Sequence, residues 1–181
     1  MSPLTNKKLN ISLILLSSFI IFNLCVVSCA TSKPISPDKE RILFEKEMSK
    51  KNRVGSKAAD FEYIDGEDNI VSLYHTKTGS KGIVLLFYDP DCSHCLETIE
   101  ILKSNQDLSE AIKNEKITLM ATDIQGDKQL WELTRKSLPE EWLKAFNIDN
   151  IEDRDAYWFK SLPAIYFLTP DYKVKIKEPN L

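Results

Sequence analysis

Glycine is scarce in this chain: it has five in 181 residues, with no low-complexity tract and no internal repeat. Repeat arrays and long biased segments are thereby excluded, and the sequence reads as one compact domain behind a targeting segment. A basic excess is lacking too. The 24 Lys and Arg are outnumbered by 27 Asp and Glu, for a net charge of −3. Without the first 28 residues, which hold Lys7 and Lys8 but no acid, 22 basic residues face 27 acidic ones. Nothing basic enough to hold a phosphate backbone remains, which excludes nucleic acid as a partner. Histidine is limited to two, His75 and His94. With Cys92 and Cys95 they make a poor tetrahedral set, which argues against a metal site of the zinc type. A c-type haem would need a histidine directly after Cys95, where Leu96 stands. No cofactor is implied. What the chain does have is 43% hydrophobic and 28% charged residues, ordinary for a globular domain with a packed core.

There is a single long apolar run, Ile11 to Val27, preceded by Lys7 and Lys8. A cationic start and an apolar middle are the layout of a secretory signal. A spanning helix is the alternative, because the run sits near the lower end of the roughly 17–25 residues that cross a bilayer. The end of the run favours a signal. Val26-Val27-Ser28-Cys29 resembles the lipobox of bacterial lipoproteins, which implies cleavage before Cys29 and lipidation of its thiol. Cys25 is the rival, but Leu24 stands where a small residue is expected. No Asp follows Cys29, which favours outer over inner membrane under the sorting rule of enteric bacteria. The expectation is a lipid-anchored protein of the cell envelope with its domain in the periplasm. Residues 1–28 would be the signal peptide, 29–53 a tether and 54–181 the domain. The tether reading of Thr31 to Arg53 is preferred to a short amphipathic helix over Glu40 to Glu45.

From Val54 the pattern becomes regular. Ala59 to Ile64 alternates and ends at Asp65-Gly66, and Asn69 to Leu73 alternates again, which predicts a hairpin. Ile83 to Tyr88 is a continuous apolar run that suits a central strand covered on both faces. A helix is predicted to start near Cys92, with Leu96, Ile99, Leu102, Leu108 and Ile112 on its buried side. Lys116 to Thr122 predicts a second buried strand. Asp127 to Lys136 and Pro139 to Phe146 predict short helices. Ala164 to Leu168 and Lys173 to Lys177 predict strands joined by a turn at Thr169 to Tyr172. The pattern is α/β, a mixed sheet flanked by helices.

Cys92 and Cys95 fall where the apolar strand turns into the helix. Two cysteines at that spacing can close a disulfide without unwinding the first turn. Unpaired N–H groups and the positive end of the helix dipole favour a thiolate at Cys92. Cys95, one turn further in, is placed to attack a mixed disulfide formed at Cys92.

Phe87-Tyr88-Asp89-Pro90-Asp91-Cys92-Ser93-His94-Cys95 resembles the strand-to-active-site segment of thioredoxin-fold proteins. Gly55 to Leu73 resembles the N-terminal hairpin of the TlpA/ResA-like branch. Ser161-Leu162-Pro163-Ala164-Ile165-Tyr166-Phe167 resembles the segment that carries the fold's cis-proline. The likeness covers about Val54 to Lys177. It implies a thioredoxin-like domain with an N-terminal β-hairpin, its C-terminal helix missing. It further implies catalysis by Cys92 and Cys95 and docking of an extended substrate on Leu162 and Pro163.

The chain departs from the family at four places. Asp91 replaces the usual Trp before the first cysteine. Leu86 stands where thioredoxins carry a buried acid, so that proton-transfer group is absent. Thr98 replaces the Glu of reductive TlpA-like members, with Glu97 beside it. The closing helix is the fourth. His94 resembles the strongly oxidising DsbA-type motif and favours the Cys92 thiolate, while Asp91 opposes it by like charge, leaving the redox direction open.

The expected function is thiol–disulfide exchange with extracytoplasmic protein thiols. Two alternatives stay open: a non-catalytic adaptor whose cysteines are structural or vestigial, and a copper-handling protein using Cys92, Cys95 and a histidine. His75 is expected in a surface loop. Trp131, Trp142, Tyr157 and Trp158 are expected in the core rather than in a groove, and Asp149 to Asp155 as a solvated loop. The oligomeric state is not legible in the pattern.

Overall fold

A computed structural model describes residues 36–148 and 156–177. The targeting segment with Cys25 and Cys29, the acidic run Asp149 to Asp155 and the last four residues lie outside them. The compact unit that carries the site runs from Arg41 onward. Among the described residues, no helix is long and apolar enough to cross a membrane.

Among the described residues seven strands form one mixed sheet. They are β1 (Glu62–Ile64), β2 (Ile70–Ser72), β3 (Gly82–Tyr88), β4 (Ile117–Asp123), β5 (Leu143–Asn147), β6 (Ala164–Leu168) and β7 (Val174–Lys177), in the order β2-β1-β5-β4-β3-β6-β7. β3, β4 and β5 are parallel; β1 pairs antiparallel with β5, β6 with β3, and β7 with β6. The helices among the described residues are α1 (Pro37–Met48), α2 (Ser93–Ser104), α3 (Gln106–Lys113) and α4 (Lys128–Thr134).

The alternation of β3 sorts its side chains to two cores. Ile83, Leu85 and Phe87 enter an aromatic-rich cluster with Phe61, Tyr63, Tyr157, Phe159 and Tyr166. Leu86 and Tyr88 enter a second cluster with Cys95 and Ile99 of α2 and Ile112 of α3. A strand buried on both faces needs the uninterrupted apolar run seen in the sequence. Phe87 sits at the centre of the first cluster, with ring centroids 4.8–5.9 Å from Phe61, Tyr157, Phe159 and Tyr166.

Three expectations change. Pro139 to Phe146 is not a helix. Trp142 N–H donates to the Pro139 carbonyl in a turn, and β5 then fills the gap between β4 and β1. Leu-Lys-Ala-Phe has no strong β preference, but two neighbouring strands offer ladder hydrogen bonds on both sides, which outweigh it. The helix expected after Cys92 is two helices. Asn105 takes an extended conformation, and its side chain accepts from Leu108 N–H at 2.9 Å, ending α2 and capping α3. The hairpin turn is built by Asp65, whose Oδ1 accepts from the N–H of Glu67 and Asn69, while the left-handed residue is Asp68 rather than Gly66.

Within the stretch expected as a tether, Pro37–Met48 is helical. Ile42, Leu43 and Phe44 are exposed and Met48 is buried.

Candidate active site

β3 ends at Tyr88, and the chain turns through Asp89-Pro90-Asp91 into α2. Asp89 builds the turn: its Oδ1 accepts from Asp91 N–H at 2.7 Å, and its carbonyl accepts from Cys92 N–H at 3.1 Å. Cys92 is the N-cap of α2, in extended conformation, and its Sγ accepts from Cys95 N–H at 3.4 Å. One of the orphan amides at the helix start is thus satisfied by sulfur. The Cys92 carbonyl accepts the first helical bond, from Leu96 N–H at 3.1 Å.

The two sulfurs differ in setting. Cys92 is half-buried and Cys95 fully buried, and both are free thiols. Burial is the main force pushing the Cys95 thiol well up; the Cys92 sulfur adds to this, and the Asp89 amide N–H opposes it. An accessible sulfur in front of a buried one, one helical turn apart, is the arrangement a two-step exchange needs.

Leu162–Pro163 is a cis peptide immediately before β6. Because Ala164 pairs with Phe87, next to the end of β3, this peptide lies at the same end of the sheet as the Cys92 turn. Leu162 and Cys92 pack against the same apolar cluster.

The two residues expected to tune Cys92 each have a side-chain partner. His94 Nδ1 lies 3.4 Å from Glu97 Oε2, an exposed pair along α2. Asp91 Oδ2 accepts from Gln125 Nε2 at 3.0 Å. Thr98 is buried beneath the helix. His75 ends a short 3-10 turn, exposed and outside both apolar clusters. Trp131, Trp142 and Tyr157 are buried, as core residues should be. Among the described residues no three His, Cys, Asp or Glu are grouped to hold a metal ion.

One residue near the site escaped the pattern. Asp123 ends β4 directly opposite Tyr88, and it is 0% exposed. Burial above all, then the carboxylates of Asp89 and Asp127, push its carboxyl up to about 6, against the amide N–H groups of Gln125 and Gly126. The only hint in the sequence is an acid directly after a buried-type strand.

A raised carboxyl makes the folded protein the better proton binder, so stability falls as pH rises from about the ordinary 3.8 to about 6 and is level above that. Asp123→Asn removes this dependence. In thermal melts at pH 7 the variant is expected to be more stable by up to about 3 kcal/mol, with the gap closing by pH 4. A gap independent of pH would contradict the assignment.

No family model matches the chain, and no curated protein does. Among solved structures it resembles a thioredoxin-like protein from Bacteroides caccae, with 27% identity and a TM-score of 0.74 over 83% of this chain; it spans 54% of that protein's length. It also resembles the thioredoxin domain of a thiol-disulfide oxidoreductase from Bacteroides vulgatus, at 22% identity and TM-score 0.59, covering 71% of this chain and 90% of the other. A thiol:disulfide interchange protein from Bacteroides sp. matches at 23% identity and TM-score 0.58, over 70% of this chain and 81% of that one. The fold is thioredoxin-like.

Proposed function

We propose that this thioredoxin-fold protein is a lipid-anchored thiol–disulfide oxidoreductase of the cell envelope, exchanging disulfides with protein thiols through Cys92 and Cys95. The observation that carries the reading is the pair of unequal sulfurs. Cys92 Sγ, half-exposed, caps α2 by accepting from the amide of Cys95, whose own sulfur is buried directly behind it. The names of two proteins of like fold, an oxidoreductase and an interchange protein, agree with it.

Starting from the dithiol, Cys92 as thiolate attacks one sulfur of a substrate disulfide. A Cys92–substrate bond forms and the substrate's second sulfur leaves as a thiolate. Cys95, deprotonated, then attacks Cys92 Sγ, closing the Cys92–Cys95 disulfide and releasing the first substrate sulfur. Two electrons pass from the protein to the substrate, and the reverse sequence oxidises a substrate dithiol. An extended substrate segment would pair with the backbone of Leu162, beside Pro163, as an added strand.

Catalysed reduction of insulin by the protein, with an added dithiol as electron source, tests this reading. Turnover lost in Cys92→Ser supports it; equal turnover with and without the protein leaves the adaptor reading. The anchor has its own test. Cys29→Ala is expected to abolish incorporation of radioactive fatty acid and to leave an uncleaved precursor, whereas Cys25→Ala changes neither. Undiminished label in Cys29→Ala would overturn the lipid assignment.

A further inference from the structure

Three large apolar side chains in succession point outward on α1: Ile42 is 58% exposed, Leu43 45% and Phe44 54%. At about 100° per residue they wrap more than half-way round the helix, so the domain alone does not cover all three. Such exposure is ordinary for scattered residues but not for a contiguous group. The end of the helix is bolted down. After Met48, the Lys51 carbonyl accepts from Lys177 Nζ at 3.0 Å, and Asn52 Nδ2 donates to the Ala156 carbonyl at 2.9 Å. Gly55 N–H then donates to the Val174 carbonyl at 2.7 Å.

Beside the apolar group lies a groove of about 530 Å³, lined by Ile42, Glu45, Lys46, Trp158, Lys160 and Lys177. Trp158, expected in the core, is half-buried and forms part of this wall instead. Three lysines and one glutamate line the groove, a local positive excess in a chain whose net charge is −3. The carbonyl that Lys177 meets does not neutralise its charge.

Apolar side chains beside lysines and a tryptophan are the composition that settles in the headgroup layer of a bilayer. The apolar groups enter the acyl boundary, lysine heads reach the phosphates, and the indole suits the level between. α1 begins at Pro37, eight residues after Cys29, and eight residues reach roughly 28 Å at most. A lipid on Cys29 thus keeps the start of α1 near the membrane. The stretch Ala30 to Ser36 offers one large aliphatic residue, Ile35, too little to cover the patch. A second copy would bring the same lysines, and like charges repel.

We propose that α1 and the groove beside it dock on an anionic lipid surface, with Ile42, Leu43 and Phe44 in the acyl boundary and Lys46, Lys160 and Lys177 on headgroup phosphates. The proposal rests on the lipid-anchor reading and adds to it a fixed orientation of the domain. Lys160 and Leu162 belong to one short loop. Docking therefore sets the substrate-pairing backbone near the bilayer, in reach of disulfides presented at its surface.

The test uses full-length protein taken from cell membranes and reconstituted into vesicles of phosphatidylglycerol and phosphatidylcholine. Their acyl chains are brominated, which quenches nearby indoles. Phe44→Trp puts an indole in the patch. Leu133→Trp puts one on α4, at a position 69% exposed; α4 packs Trp131 on Phe146 of β5, away from β7. The emission added by Phe44→Trp is expected to be quenched, and that added by Leu133→Trp spared. Adding Lys46→Ala/Lys160→Ala to Phe44→Trp is expected to lower the ratio of docked to undocked domain about five-fold for each charge lost, hence about 25-fold. Salt at about 1 M, which shortens screening to roughly 3 Å, is expected to act in the same direction. Emission from position 44 that ignores bromine, in protein that floats with the vesicles, overturns the proposal and leaves the anchor standing. Equal quenching at both positions overturns it too, because the domain then has no preferred face. Cross-links joining α1 of two copies, with position 44 unquenched, assign the patch to a second copy and overturn it likewise. Protein that does not float with the vesicles overturns the anchor reading, and the docking with it.

Discussion

Cys95→Ser is expected to convert the protein into a trap for its partners. With Cys92 intact the first attack still occurs, and the substrate becomes joined to the protein through one disulfide. Resolution requires a sulfur at the position of Cys95, held behind Cys92 by the first turn of α2, where Cys95 N–H already lies 3.4 Å from Cys92 Sγ. A serine hydroxyl cannot form that bond. Gels of cell extracts prepared without reductant should therefore show discrete high-mass adducts that collapse when a dithiol is added. In Cys92→Ser/Cys95→Ser the adducts should vanish, because the nucleophile is gone. Insulin reduction should fall about 1000-fold or more in Cys92→Ser, the scale of losing an enzyme's nucleophile. If Cys95→Ser yields no adducts under either oxidising or reducing growth, the exchange mechanism fails.

Gly82→Ala is expected to be among the most damaging single changes in the domain. Gly82 opens β3 with φ +134°, and a Cβ placed there would lie 1.9 Å from the Leu168 carbonyl oxygen. That oxygen belongs to β6, which pairs with β3 at Ile83↔Leu168, so relief of the clash means parting two central strands. Backbone cannot swing aside as a side-chain tip can. The loss should exceed about 3 kcal/mol, lowering the melting temperature by roughly 10 °C or more in a domain of this size. Gly126→Ala is the control. It also has positive φ, +88°, but nothing lies within 4 Å of its added Cβ, so only the local conformational cost applies, roughly 1 kcal/mol. Comparable melting temperatures for the two variants would show that the β3–β6 approach is not tight.

The same contrast between local and distant causes separates what could be read in the sequence from what could not. The apolar run of β3, the helix beginning at Cys92 and the strand at Ala164 to Leu168 were legible because each rests on neighbours in the chain: a continuous run, a strand-to-helix change of period, a short apolar segment. Leu162-Pro163 was marked by its resemblance to the cis-proline segment alone. The Pro139 to Phe146 segment misled because Leu143 to Asn147 has no strong period of its own. It is a strand only because β4 and β1 flank it. The pattern placed His94 and Asp91 next to Cys92; that their side chains also meet Glu97 and Gln125 is visible only in the structure.

By itself, then, the sequence determined that a strand would deliver Cys92 to a helix start with Cys95 one turn behind, since period and spacing act within a few residues. The tertiary structure alone decided which strand would lie beside β3 and in what register. That register sets Asp123 opposite Tyr88 on the face that holds Cys95. No local pattern encodes it, because Asp123 lies far along the chain from Cys95 and reaches the sulfur's face only through the pairing of two parallel strands.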